Sequence, residues 1–242
     1  MRVVEPLVIV DTNIPLAHCL GPGMDAKADL AASAFHTLEG AGIRAYMTET
    51  LRDEFEAKVH ERVGQVLDAL LDLAQVPAPT LSGSGNPLDA LEEMFATLRS
   101  KASGSAGALL LLETRVSAKI REQGQLTTDA WTNHLRTIGV EATLLLAEVQ
   151  RRFDLLQVEV LPRPKGLDLE RFRDLVDRAD LEHIAACDSL AASKKRTVVF
   201  VTFDGKLHAA RSEVGVRTSG RVVITSPVYL ERQLKRQSSP TA

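Results

Sequence analysis

Two β-branched apolar runs in this chain end in an acid: Val8-Ile9-Val10-Asp11 near the start and Val201-Thr202-Phe203-Asp204 near the end. An acid directly after a buried strand is poorly placed for core packing. It is well placed at the rim where a sheet opens toward ligands. Either acid alone could instead cap a helix or shape a turn, and Asp204-Gly205 is good turn chemistry. Two further acids suit the same rim. Glu54 falls on the first turns of the helix expected after the second strand, and Asp180 falls where the helix before the last buried strand begins. Four carboxylates brought together repel one another unless a cation intervenes. Hard oxygen donors select magnesium or manganese over zinc. The chemistry to expect from Asp11, Glu54, Asp180 and Asp204 is that of a bound divalent cation.

The elements that must position these acids follow from periodicity. Val3 to Val10 is almost continuously apolar, which suits a strand covered on both faces of a parallel sheet. A helix is expected over Asp25 to Leu38, a second strand over Ile43 to Met47, and a helix capped near Thr48 over Glu49 to Leu73. In that helix Leu51, Phe55, Val59, Val63, Val66 and Leu70 recur at spacings of three and four. Val76 to Pro87 is rich in breakers and reads as a loop. Leu88 to Phe153 reads as a helical insertion in three pieces, broken near Ser103 to Gly107 and near Gly124. Leu155 to Val160 is a short strand or extended segment. Leu167 to Ala192 is helical, with a joint near Asp177 to Asp180. Thr197 to Thr202 is the clearest buried strand, and Val222 to Thr225 is the last one, followed by a short helix and a polar tail from Arg236. Strands alternating with helices predict an α/β fold with a mostly parallel central sheet and helices on both faces.

The bulk numbers permit this. The chain has 242 residues, 45% apolar and 25% charged. That is enough for one large α/β domain carrying an insertion. Net charge is −3, which argues against binding nucleic acid by overall charge, although a carboxylate site lowers that charge and a local basic rim can still hold phosphates. Cys19 and Cys187 form neither a disulfide framework nor a zinc motif, and read as buried small hydrophobes in a reducing cytoplasm. No leader or membrane span is read, so the expectation is a soluble cytoplasmic protein with no membrane partner.

In order along the chain, four segments resemble the PIN-domain family. They are Val8 to Asn13, Thr48 to Glu54, Ala179 to Ala186, and Val201 to Asp204. The resemblance covers the two ends and leaves the middle unmatched. It implies a single domain over 1–242 with a three-layer α/β/α fold, the helical insertion at 88–153 lying within it. It also implies a magnesium- or manganese-dependent nuclease that cleaves RNA, less often DNA. Asp11, Glu54, Asp180 and Asp204 match the family's four acidic metal-binding and catalytic positions. Asn13 and Thr202 match polar positions that orient those ligands. His183-Ile184-Ala185 follows Asp180 as in many relatives. The spacing from Asp180 to Asp204 is longer than in compact members, which makes Asp188 the rival third ligand.

For the substrate's phosphates the chosen residue is Lys206. Lys194-Lys195-Arg196 reads as solvated charge, as do Arg52 and Lys58, and His183 reads as a packing histidine, with a helper beside the ligands as the alternative. A haloacid-dehalogenase reading needs a second Asp where Asn13 stands. A metal-dependent phosphatase on a similar sheet and a non-catalytic PIN-like scaffold or RNA-binding module stay open as alternatives. The expected partner is nucleic acid, RNA before DNA. A homo-oligomer is allowed, and an antitoxin-type partner is allowed but not indicated.

Overall fold

A computed structural model describes residues 5–21, 25–75, 86–101, 106–123 and 128–238. By internal contacts the chain divides into two compact units. One joins Met1–Ala57 to Gln150–Ala242, and the other is Lys58–Val149.

The first unit holds a five-stranded sheet. Its strands are β1 (Leu7–Val10), β2 (Ala45–Thr48), β3 (Glu159–Leu161), β4 (Val198–Val201) and β5 (Val222–Thr225). They lie in the order β3-β2-β1-β4-β5, and all four pairings are parallel. β1 and β4 are the inner neighbours, with Val10 opposite Val201. Every residue of both is buried, which is why their sequences are apolar without alternation. β3 is an edge strand with two of its three residues exposed, and its Glu159 pairs with Arg44 at 3.2 Å. That edge position explains its weak apolar signal.

Helices connect the strands. They are α1 (Asn13–Leu20), α2 (Ala28–Gly40), the start of α3 (Glu49–Ala74), the end of α6 (Thr128–Leu155), α7 (Arg178–Lys194), α8 (Gly205–Arg217) and α9 (Leu230–Ser238). α7 packs on β4 and β5, α8 packs on β5, and α1 packs on α2. The whole is an α/β architecture consistent with three layers. Thr48 caps α3, its Oγ1 accepting from the Leu51 N–H at 3.3 Å. α7 ends where Lys195 takes a left-handed conformation, φ 53°.

The second unit is helical. It takes most of α3 and α6 together with α4 (Pro87–Lys101) and α5 (Ala106–Gln123). α4 packs against α5, and Arg99 and Glu113 form an ion pair between them. Leu91, Phe95, Leu109, Leu112 and Val116 are fully buried. This unit starts earlier than the insertion expected at 88–153, because α3 and α6 run without a break across its boundary. Most of the loop expected over Val76 to Pro87 lies outside the described residues, as do the breaks near Ser103 and Gly124 and the end of the polar tail.

One helix is shorter than the periodicity predicts. Residues 167–177 form only a 3-10 turn, Glu170–Phe172, before α7. Leu169, Phe172 and Leu175 recur every three residues and so mimic a helical stripe. Phe172 is buried as an anchor, but Asp177 is extended, with ψ 159°, and breaks the run. Among the described residues no helix is long and apolar enough to cross a membrane.

Candidate active site

The strand order turns at β1. From there the chain builds outward to β2 and β3 on one side, then returns to place β4 and β5 on the other. In parallel sheets this switch point leaves a crevice beyond the carboxyl ends of the two inner strands. Asp11 and Thr202 stand at those ends. The Asp11 N–H continues the ladder, donating to the Val201 carbonyl at 2.9 Å.

Around the crevice a small network fixes the first acid. Asp11 is buried, and its Oδ2 accepts from Asn13 Nδ2 at 2.6 Å and from Thr202 Oγ1 at 2.5 Å. Thr202 Oγ1 also accepts from the Asp204 N–H at 2.9 Å, and Asn13 Oδ1 accepts from the Phe203 N–H at 3.2 Å. The orienting part expected of Asn13 and Thr202 thus corresponds to direct bonds to Asp11. Asp204 serves as helix cap and rim acid together. Its Oδ1 accepts from the Lys206 and Leu207 N–H groups at 2.6 and 3.1 Å, closing the first turn of α8.

Asp180 lies half-buried in the first turn of α7. Its carboxyl is pushed above its ordinary range, first by burial, then by the negative charges of Asp204, Asp11 and Asp177, with His183 opposing. Asp11, Asp180 and Asp204 therefore share one electrostatic neighbourhood. Farther along α7 the fully buried Cys187 thiol is also pushed up, mainly by burial and then by Asp11 and Asp188.

Glu54 is held from two sides. Its Oε2 lies 3.1 Å from Thr12 Oγ1 and 3.1 Å from His183 Nε2. The Thr12 hydroxyl also lies 3.1 Å from the Leu51 carbonyl, and its single proton serves one acceptor at a time. His183 is buried, and its Nδ1 has no hydrogen-bond partner among the described residues. It contacts Glu54 and opposes the rise of the Asp180 pKa. Thr12 was legible only as the residue after a strand-end acid, and the sequence carried no sign of its reach to Glu54.

Asp188 occupies a different environment. It is buried and takes Arg171 Nη1 at 2.9 Å and Arg221 Nη2 and Nε at 2.8 and 3.1 Å. Two guanidiniums on one carboxylate make a structural ion-pair centre that joins α7 to the segments before α7 and β5.

The expected basic residues divide similarly. Lys206 is exposed, and its Nζ binds Asp177 at 2.5 Å; that bond raises the ammonium's pKa, with the Asp177, Asp204 and Asp180 charges adding to it. Arg52 lies over the Phe153 ring at 4.2 Å and pairs with Glu56. Arg196 binds the Glu5 and Pro6 carbonyls, whereas Lys194 and Lys195 are exposed. Lys58 begins the second unit. Two cations that the sequence did not single out stand near the acids. Lys27 Nζ lies 5.0 Å over the Phe203 ring, beside Asp204, and Arg163 pairs with Glu182 at 2.5 Å.

The donors present are carboxylate oxygens in a shared negative field, a chemistry that fits a hard divalent cation. Among the described residues, however, no three His, Cys, Asp or Glu side chains form a metal-ligating group. The fit therefore rests on donor type and mutual repulsion, not on ligating distances. Compared with family models, with curated proteins and with solved structures, the chain matches none.

Proposed function

We propose that this protein is a divalent-metal-dependent nuclease with a PIN-like, three-layer α/β/α fold, hydrolysing phosphodiester bonds in RNA in preference to DNA. The observation that supports the proposal is the raised pKa of Asp180, whose ionisation is opposed by burial and by the charges of Asp204 and of Asp11, the residue that follows β1. A carboxyl kept in such a field is a common mark of a functional site.

In this reading Asp11, Asp180 and Asp204 hold magnesium or manganese, with Glu54 beside them. When bound, such a cation neutralises charge on the scissile phosphate and acidifies a water molecule. The chain supplies the rest. Asn13 and Thr202 keep Asp11 in one rotamer. The α8 cap fixes Asp204 Oδ1 by two backbone N–H groups. His183 and Thr12 hold Glu54 in place. Lys206, and Lys27 across Phe203, offer positive charge to the phosphates.

A second reading, a non-catalytic PIN-like scaffold or RNA-binding module, draws support from the lack of a three-ligand group among the described residues. The two separate on one experiment. Labelled single-stranded RNA and DNA are incubated with the protein and its Asp11→Asn variant in EDTA, magnesium and manganese, while calorimetry follows metal binding. The nuclease reading expects metal-dependent cleavage, faster on RNA and abolished in the variant. Neither cleavage nor metal binding would overturn it in favour of the scaffold.

A further inference from the structure

The open edge of the sheet at β5 plays no part in the proposed hydrolysis, and the inference drawn from it stands apart from that reading. Among the described residues β5 pairs only with β4. Beside it runs a cleft of about 660 Å³, bounded by α8 and α9. The whole run from Val222 to Ser226 lines this cleft. Successive side chains of a strand point to opposite faces of a sheet. A lining made of consecutive residues therefore means that the edge of the strand forms the floor.

The ladder identifies the backbone groups on that floor. The carbonyls of Arg221 and Thr225 accept from Val198 and Thr202 of the β4 segment. Along a parallel strand, alternate residues bond to alternate sides. Val222 and Ile224 thus turn their backbone groups away from β4. The Val222 N–H is taken by Thr218 Oγ1 at 3.2 Å. Ile224 presents both N–H and C=O to the cleft, and it is only 6% exposed. Backbone groups in so sheltered a place call for a partner.

The walls define the partner's charge. Arg211 comes from α8, Arg232 and Arg236 come from α9, and among the described residues no acid lines the cleft. Among the described residues none of the three arginines forms an ion pair. Charges that only guard an edge against aggregation sit on the edge strand itself, whereas these sit on the flanking helices. A second copy of this chain, paired edge to edge, would set arginines against arginines. A nucleic-acid strand would meet the arginines but has no row of amides to match Ile224. We propose that the β5 cleft binds an extended acidic segment of a partner protein, which adds to the sheet as a sixth strand.

The full chain tests this by fluorescence anisotropy in EDTA, with four labelled probes. One is an octapeptide of alternating Glu and Val. The second replaces Glu by Lys. The third keeps every Glu but is N-methylated at every residue, which removes the N–H donors of both edges and leaves the charge. The fourth is a short single-stranded RNA. The protein is compared with its Arg211→Glu/Arg232→Glu variant, whose folding is checked by circular dichroism. The proposal expects the Glu-Val peptide to bind, the Lys and N-methylated peptides to bind far less, and the variant to lose about tenfold or more in affinity, on the order of 1.4 kcal/mol. It is overturned if no peptide binds, or if the N-methylated peptide binds as tightly as its parent, which would reduce the cleft to a charged surface. It is equally overturned if RNA alone binds and the variant abolishes it.

Discussion

Asp180 and Asp188 lie on the same helix two turns apart, yet replacing each by Asn should destabilise the protein only at Asp188. The Asp188 side chain is 12% exposed and is engaged by Arg171 and Arg221, whose side chains are 33% and 41% exposed. Breaking a fully buried ion pair costs about 3–5 kcal/mol, and an exposed one costs about 0–1. With the carboxylate buried and both guanidiniums partly in water, Asp188→Asn should cost about 2–3 kcal/mol. For a chain of this size that lowers the melting temperature by roughly 5–10 °C.

Among the described residues Asp180 carries no such partner bonds, and burial and the charges of Asp204 and Asp11 all act against its ionised form. Asp180→Asn removes that opposition, so its melting temperature in EDTA should equal or exceed the wild type's. The pH dependence gives a second handle. The folded pKa of Asp180 is raised above the ordinary 3.8. Between those two values the folded state holds more proton than the unfolded chain. Wild-type stability contributed by this group therefore falls as pH rises through the window, and the gap to Asp180→Asn widens in the same direction. Differential scanning calorimetry of the three proteins from acid to neutral pH reads both effects. If Asp180→Asn melts as far below the wild type as Asp188→Asn does, Asp180 is held by stabilising partners and the carboxylate-cluster argument fails.

Three other outcomes are expected. Thr202→Val removes the hydroxyl that donates to Asp11 and accepts from the Asp204 N–H, and urea denaturation should show a loss of about 1–3 kcal/mol. Gly21 has φ +81°, and a Cβ there would stand 3.2 Å from Arg152 Nη1; Gly21→Ala should therefore cost about 1 kcal/mol or more in the same assay. The Cys19 thiol is pushed up to about 12 and the Cys187 thiol higher still, each chiefly by burial. A thiol reagent at neutral pH should modify neither until the protein is unfolded, and rapid reaction of the native protein would contradict the packing.

The strands were largely legible because they are buried. β4 and β5 fall within or upon the expected runs, since the residues facing each other across this sheet announce themselves as VVFV and VVIT. β3 begins four residues later than expected, because α6 runs on through Leu155 and the chain then turns at Gln157, φ 51°. In the site, Asp11 and Asp204 could be found because each ends a buried strand, and Asp180 because it opens a helix. The pairing of Glu54 with His183 could not, for it joins residues 129 positions apart on separate helices. The arginines of Asp188 lie 17 positions before and 33 after it, and neither position carries a local sign of the contact. Charge alone did not separate Asp180 from Asp188. What separates them is the sign of the neighbours each acquires on folding.

The bond between Thr202 and Asp11 spans 191 positions of chain. It has a consequence during synthesis. Every residue of α1 through α7 emerges from the ribosome before β4 exists, so for 191 positions the nascent chain carries Asp11, and the β1-β2 pair once that is made, without Thr202, Asp204 or β1's other neighbour. Closing so long a loop costs only logarithmically more entropy than closing a short one, but such non-local pairing slows folding. The bond that orients Asp11 can therefore form only after β4 has been made. A nascent chain halted anywhere before that point carries the first carboxylate of the site without its orienting hydroxyl.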